Sequence, residues 1–181
     1  MAPDADAGAM AVTVDGEPVE SEVSRVDNTL NTSVAGVSIT FSGVDANGTR
    51  VPLDDNGVVR LKKGDAIEVL AAGFTPGTNL ETSLRDGNTA LGTLKTDSTG
   101  GAKGVIPVPA SVKVGENDFV VKGTNASGEE VVSSVGFIYG SEESTFNRWL
   151  IILPLVFAAF VALMVPASRR RKSASTADSN G

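Results

Sequence analysis

"AIEVLAAGFTPGTNLETSL", from Ala66 to Leu84, places two apolar-rich stretches on either side of a Gly-Phe-Thr-Pro-Gly turn. Leu80, Thr82 and Leu84 alternate with polar residues, which is the period of a strand with one buried face. In the turn, Gly73 and Gly77 allow positive φ, Pro76 fixes its own φ, and Phe74 can bury its ring beneath the loop. The stretch predicts a strand, a structural turn and a second strand, with a ligand-binding loop as the alternative.

Glycine-marked turns of this kind recur along the chain and separate short segments rich in β-branched and aromatic residues. Between Gly57 and Gly140 this spacing predicts seven strands, at 58–61, 65–72, 79–85, 90–95, 104–108, 117–123 and 130–139. Seven short strands in such a span are typical of an immunoglobulin-like β-sandwich. The predicted core residues are Ile67, Val69, Leu80, Leu84, Leu94, Ile106, Phe119, Val121 and Phe137.

Residues 10–55 also carry strand signals, in the hairpin pattern "VTVDGEPVE" and the segment "GVSITFSG". They contain fewer large apolar residues, and so few strands are marginally stable alone. The sequence therefore predicts a small β-rich module packed on a sandwich of residues 56–140. Residues 1–9 are predicted to be a disordered N-terminus.

The charges are unevenly distributed. Residues 1–147 contain 21 of the 22 acidic residues but only 10 of the 15 basic ones, and four of the rest are consecutive at 169–172. An acidic domain gains nothing from releasing counterions off a phosphate backbone, which argues against nucleic-acid binding.

The chain contains neither cysteine nor histidine. Disulfides, thiol nucleophiles and thiolate metal sites are therefore excluded, together with the usual general base near neutral pH. Adjacent carboxylates such as Glu129 and Glu130 point to opposite faces of a strand and do not form an acid/base pair. The sequence favours a protein that is not an enzyme and needs no cofactor.

One weak metal site is conceivable. Asp45, Asp54 and Asp55 could supply oxygen ligands to Ca²⁺ at a junction between modules. The spacing of an EF-hand loop is absent, and solvated acidic turns are the commoner case, so these residues are weak calcium candidates only.

Residues 149–167 form an uncharged run of 19 residues dominated by Leu, Ile, Val, Phe and Ala. As a helix this run is about 28 Å long, close to the roughly 30 Å hydrocarbon core of a bilayer. Trp149 lies at one edge, where amphipathic rings prefer the interface. The run predicts a single transmembrane helix.

Orientation follows from Arg169, Arg170, Arg171 and Lys172, which outweigh the single Arg148 on the other flank. Basic residues beside a span stay in the cytoplasm. The prediction is a plasma-membrane protein with its N-terminal domain extracellular, a linker at 141–148 and a basic cytoplasmic tail at 168–181.

The start of the chain conflicts with this topology, since "MAPDADAGAMAVTVDGEP" has neither a basic n-region nor an apolar h-region of a signal peptide. Either the sequence is a piece of a longer exported protein, or it is tail-anchored with its domain in the cytoplasm. Charge asymmetry favours the first.

Several motifs resemble the Ig-like modules of actinobacterial surface and secreted proteins. The motifs are "GFTPGT" at 73–78 and "LGTLKTDSTGGAKGVIPVPASVKVGENDFVVKGTNASGEE" at 91–130, and the resemblance covers roughly residues 40–172. It departs at Asn117, where these modules often have another residue. Because the motifs are turns and core positions, the resemblance implies fold and location but no chemistry.

Two functions fit these observations. The first is a non-catalytic, membrane-anchored stalk or anchor that displays an extracytoplasmic region. The second is a surface adhesion or binding module for a protein, glycan or cell-wall ligand, which a cluster of exposed aromatic residues would favour. In both cases the lipid bilayer is the partner of residues 149–167.

Overall fold

Twelve β-strands and no helix make up the part of the chain that the computed structural model describes, residues 2–85 and 89–140. The strands are β1 Met10–Val14, β2 Glu17–Val19, β3 Ser24–Val26, β4 Thr29–Val34, β5 Val37–Val44, β6 Arg60–Leu61, β7 Ala66–Ala72, β8 Asn79–Leu84, β9 Thr89–Lys95, β10 Ala102–Pro107, β11 Gly115–Thr124 and β12 Glu130–Tyr139.

The strands form two sheets that face each other as a β-sandwich. Sheet A has the order β2-β1-β12-β11-β8-β9, and β6 pairs with the end of β12. Sheet B has the order β10-β7-β5-β4-β3. All pairings are antiparallel except that of β6 with β12, which is parallel.

The seven strands predicted between Gly57 and Gly140 are all present, and their ends differ from the prediction by two residues at most. Eight of the nine predicted core residues are buried, with exposed fractions between 0 and 7%. Leu94 is only partly buried. It lies on β9, the edge strand of sheet A, where one side of the strand has no neighbour.

Phe41 and Phe119 join the two sheets at the centre of the core. Phe41 lies on β5 of sheet B and Phe119 on β11 of sheet A, and their ring centroids are 5.7 Å apart. Both residues are at most 1% exposed. The core therefore depends on residues from both halves of the chain.

The predicted boundary between residues 55 and 56 is wrong. Strand β1 pairs with β12, and β5 pairs with β7 over seven residue pairs. Residues 10–55 thus extend both sheets of the sandwich and belong to the same compact unit. A segment poor in large apolar residues needs no core of its own when its strands pair with strands further along the chain.

The predicted disorder of residues 1–9 is also wrong for the residues that the structure describes. The Gly8 amide donates to the carbonyl of Gly136 (2.9 Å), and the Gly136 amide donates to the carbonyl of Ala9 (3.1 Å). Ala5 is buried. Gly136 makes this possible because a Cβ there would collide with the carbonyl oxygens of Ala5 and Asp6.

The sandwich has two ends, which we call the turn pole and the exit pole. At the turn pole, Thr124 pairs with Glu130 and the chain turns between them; at the exit pole, Gly115 pairs with Tyr139. The nine steps from Glu130 to Tyr139 separate the poles by about 30 Å.

Both ends of the described unit lie in the half of the sandwich nearer the exit pole. Gly140 follows the last residue of β12 there. Near the N-terminus, Asp4 contacts Arg85, whose guanidinium also bonds the carboxylate of Asp118 at 2.9 Å. Asp118 pairs with Gly136, three residues before the end of β12.

Removing the Phe119 ring should destabilise the sandwich strongly. Phe119→Ala is expected to lower the free energy of unfolding by about 3–5 kcal/mol, because the cavity adds to the lost transfer energy. Val105→Ala is the control: Val105 is 54% exposed, so its loss should change stability by less than about 0.5 kcal/mol. Urea unfolding of both variants gives the comparison, and equal losses would contradict the assigned core.

Candidate functional site

The Gly73–Thr78 turn crosses from sheet B to sheet A at the turn pole. Gly73 and Gly77 have φ of 85° and 72°, and Phe74 is 1% exposed. The Phe74 amide donates to the carbonyl of Gly100 (3.1 Å), and the Thr75 amide donates to the carbonyl of Thr124 (2.8 Å). The turn is thus bonded to the two loops beside it.

Three threonines complete this arrangement. The Thr96 hydroxyl donates to the carbonyls of Thr75 (2.8 Å) and Thr78 (3.1 Å) and accepts the Thr78 amide (2.9 Å). The Thr78 hydroxyl donates to the carbonyl of Thr75 at 2.7 Å. Thr96 is 2% exposed. These polar groups hold the loops to one another, which argues for a structural role of the motif and against the ligand-binding alternative.

Four five-residue turns share one hydrogen-bond pattern. In each, a carboxylate or amide oxygen of the first residue accepts the backbone amides of the third and fifth residues, and a glycine with positive φ stands fourth. The turns begin at Asp45, Asp54, Asp97 and Asn125. The sequence pattern Asp/Asn-x-x-Gly could have revealed all four, since short acceptor side chains at the first position satisfy turn amides.

The three aspartates of these turns ionise more readily than usual. Hydrogen bonds from the amides of Thr49 and Val58 lower the pKa of Asp45 and Asp54, respectively. For Asp97, the Thr99 hydroxyl is the largest cause of the lowered pKa, followed by the Gly101 amide. The carboxylates are therefore committed to their own turns.

The same hydrogen bonds occupy the carboxylates of two of the three calcium candidates. Asp45 and Asp54 each start a separate turn, and Asp54 also bonds Arg60 at 2.6 Å. Asp55 is exposed within the second turn. No group of three acidic side chains suited to a metal ion occurs among residues 2–85 and 89–140.

A buried carboxylate lies on the outer face of sheet B. Glu68 is 8% exposed. Its carboxylate accepts hydrogen bonds from Nε (3.2 Å) and Nη2 (3.1 Å) of Arg50. The Nζ of Lys103 lies 3.2 Å from the same carboxylate. Beside it is a groove of about 500 Å³ lined by Val44, Arg50, Val105 and Pro107, among others.

Glu68 also accepts a hydrogen bond from the Ser42 hydroxyl at 3.3 Å. A serine beside a carboxylate can be a nucleophile with its base. Here burial would raise the pKa of Glu68, but the hydrogen bonds from Lys103 and Arg50 outweigh it and lower the pKa. A carboxylate held in its ionised form by two cations is a weak base, so the pair is not arranged for catalysis.

The residues predicted to set the membrane topology, Trp149, Arg169, Arg170, Arg171 and Lys172, lie outside the described residues. Within residues 2–85 and 89–140, no helix has the length and hydropathy needed to cross a bilayer.

Comparison with known proteins gives no relative: the chain matches no family model, no curated protein and no solved structure.

The turn carboxylates should stabilise the protein at neutral pH. Asp97→Ala is expected to lower the urea midpoint at pH 7, because two turn amides and the Thr99 hydroxyl lose their acceptor. A depressed pKa contributes stability that is present above the unfolded value, about 3.9, and is lost as the pH falls through the folded pKa. The difference in urea midpoint between the wild type and Asp97→Ala should therefore become smaller below about pH 4.

Asp97→Asn is the matched control, since Asn125 already occupies this position in the fourth turn. Asp97→Asn should keep most of the wild-type urea midpoint at pH 7. Because its amide does not ionise, the midpoint should fall less than that of the wild type as the pH is lowered. A loss equal to that of Asp97→Ala would contradict the role assigned to the side-chain oxygen.

Gly73 and Gly77 offer a second matched pair. Both have positive φ, but a Cβ at Gly73 would overlap the carbonyl of Gly36, whereas nothing lies within 4 Å of one at Gly77. Gly77→Ala should lower the free energy of unfolding by about 1–2 kcal/mol, because alanine disfavours the left-handed backbone conformation. Gly73→Ala should lower the free energy of unfolding by clearly more, because the added Cβ also overlaps the Gly36 carbonyl. Urea unfolding measures both variants. Equal losses would argue against the close approach of the Gly36 turn.

Proposed function

We propose that the chain is a non-catalytic, membrane-anchored surface protein that displays its β-sandwich outside the cell. The observation that carries this proposal is the uncharged run of residues 149–167, which begins eight residues after Ser141 and is followed directly by the basic cluster at 169–172. An apolar run of this length suits a spanning helix, and the basic cluster suits its cytoplasmic end.

The positions of the two ends refine the proposal. Gly140 lies at the exit pole, and the N-terminal segment contacts Gly136, about 10 Å from that pole along β12. A spacer that holds a preceding region away from a membrane needs its two ends at opposite poles. In this sandwich the turn pole is about 30 Å beyond the point where the chain leaves it, so in this proposal the turn pole is the end of the sandwich farthest from the anchor.

The strand order supports an immunoglobulin-like assignment. Strands β12, β11, β8 and β9 follow the order G, F, C and C′ of a variable-type sheet. Strands β10, β7 and β5 follow the order E, B and A of the opposite sheet. In this assignment β1 to β4 are additions to the outer strands.

The edges of the sheets suit a displayed monomer. Pro18 lies in β2 and Pro107 in β10, β3 has three residues, and β9 is interrupted by a bulge opposite Thr82 and Ser83. Prolines, short strands and bulges prevent an edge from adding a strand of another molecule.

The alternative is a module that binds a protein, glycan or wall polymer. Exposed aromatic residues would favour it. All five aromatic residues in the described part of the chain are buried: Phe41, Phe74, Phe119, Phe137 and Tyr139. Two grooves remain as candidate surfaces: the one beside Glu68, whose carboxylate is paired with Arg50 and Lys103, and one of about 450 Å³ lined by residues that include Leu70, Lys95 and Asp97.

Cysteine labelling tests the topology, because the chain has no native cysteine. Ser98 is exposed at the turn pole, and Ser173 follows the basic cluster. With a membrane-impermeant maleimide on intact cells, Ser98→Cys should be labelled and Ser173→Cys should react only after the cells are broken. The reverse pattern would make the protein tail-anchored with a cytoplasmic sandwich and would sink the proposal.

A further inference from the structure

Two loops flank the point where the chain leaves the sandwich at the exit pole. The Gly140 amide donates to the carbonyl of Leu61 (2.8 Å), so Lys62 and Lys63 follow directly beside it. On the other side, the side chain of Val114 lies beside Gly140, 2.9 Å from where a Cβ on that glycine would stand, and Lys113 precedes Val114. Lysines thus lie on both sides of the exit.

Both loops are held by buried polar side chains. Asp65 is 3% exposed, and its carboxylate accepts the Lys62 amide at 2.9 Å. Asn117 is 5% exposed, and its amide nitrogen donates to the carbonyls of Lys113 and Gly115, each at 2.9 Å. Asn117 is therefore the residue that shapes the second loop, a role that the sequence pattern alone did not assign.

The loop tips combine positive charge with exposed apolar surface. Lys62, Lys63 and Lys113 are exposed and form no salt bridge with another described residue, while Asp45 lies near Lys62 and the exposed Glu116 lies near Lys113. Val114 is 75% exposed, more than Val19, Val26 or Val105. Basic residues beside an apolar side chain are the combination that binds an anionic lipid interface.

Only eight residues connect the sandwich to the apolar run. Residues 141–148 separate Gly140 from the apolar run and can extend over at most about 28 Å. The segment contains Glu142 and Glu143, which repel an anionic surface, so the lysines are the groups available to attract it. Attraction acts within a Debye length, about 8 Å at physiological salt.

We propose that the exit pole docks on the anionic lipid surface of the bilayer through Lys62, Lys63, Lys113 and the exposed side chain of Val114. This inference rests on the proposed anchoring by residues 149–167. Docking at this pole holds the sandwich upright, with the Asp97 and Asn125 turns facing away from the membrane.

The test uses the full chain reconstituted into vesicles. Ser111→Cys, next to Lys113, and Ser98→Cys, at the turn pole, each receive a fluorescent donor, and the vesicles contain a headgroup-labelled acceptor lipid. Replacing part of the phosphatidylcholine by phosphatidylglycerol should increase energy transfer from position 111 and leave position 98 unchanged or lower. Raising the salt to about 1 M, where the Debye length is about 3 Å, should reverse most of the increase.

Charge variants assign the effect to the loops. Lys62→Gln/Lys63→Gln/Lys113→Gln should lose the dependence on phosphatidylglycerol. Single Lys63→Gln should lose part of it, whereas Lys95→Gln, which removes one charge near the turn pole, should retain it. Val114→Ser should reduce the transfer that persists at high salt. Unchanged thermal midpoints would show that the variants remain folded.

Resistance to alkaline extraction from the vesicles is measured in parallel. If the protein is extracted, the anchor fails and this inference fails with it. If the protein stays inserted but transfer from position 111 does not respond to phosphatidylglycerol, the anchor stands and the docking proposal is overturned. That second outcome is the one expected if the lysines pair with Glu142 and Glu143 of the connecting segment.

Discussion

The pairing of β1 with β12 is the constraint on which the rest of the architecture depends. Five residue pairs join the first strand to the last one, and this pairing brings the N-terminal segment to the edge of sheet A. The same edge of β12 then pairs with β6 through Ile138 and Tyr139. The N-terminal segment consequently lies on the same half of β12 as Gly140.

The turn pole is built from repeated local chemistry. Two of the four Asp/Asn turns, those that begin at Asp97 and Asn125, lie at this pole, and the Gly73–Thr78 turn is bonded between them. Such turns satisfy their own polar groups without help from distant residues. A pole made in this way keeps its polar groups satisfied in a chain that has no cysteine for disulfides.

The polar clusters of the described residues serve structure more than chemistry. Arg50 and Lys103 neutralise Glu68, the Asp45 and Asp54 carboxylates hold their turns, and Thr96 bonds the crossing loop. Two of the three calcium candidates from the sequence, Asp45 and Asp54, are thus already engaged in their own turns. Lys62, Lys63 and Lys113, beside the chain exit, form no salt bridge with another described residue, and the docking that we propose uses these three.

The sequence by itself determined what depends on local pattern. Period-two alternation and glycine turns located the seven later strands and eight of nine core residues, since each signal lies within a few neighbouring residues. Only the tertiary structure decided which strands pair: that β1 joins β12, that β5 joins β7, and that residues 4–9 lie on Gly136. Pairing between distant strands depends on which edges and faces remain open after the others have packed, and no local pattern records that.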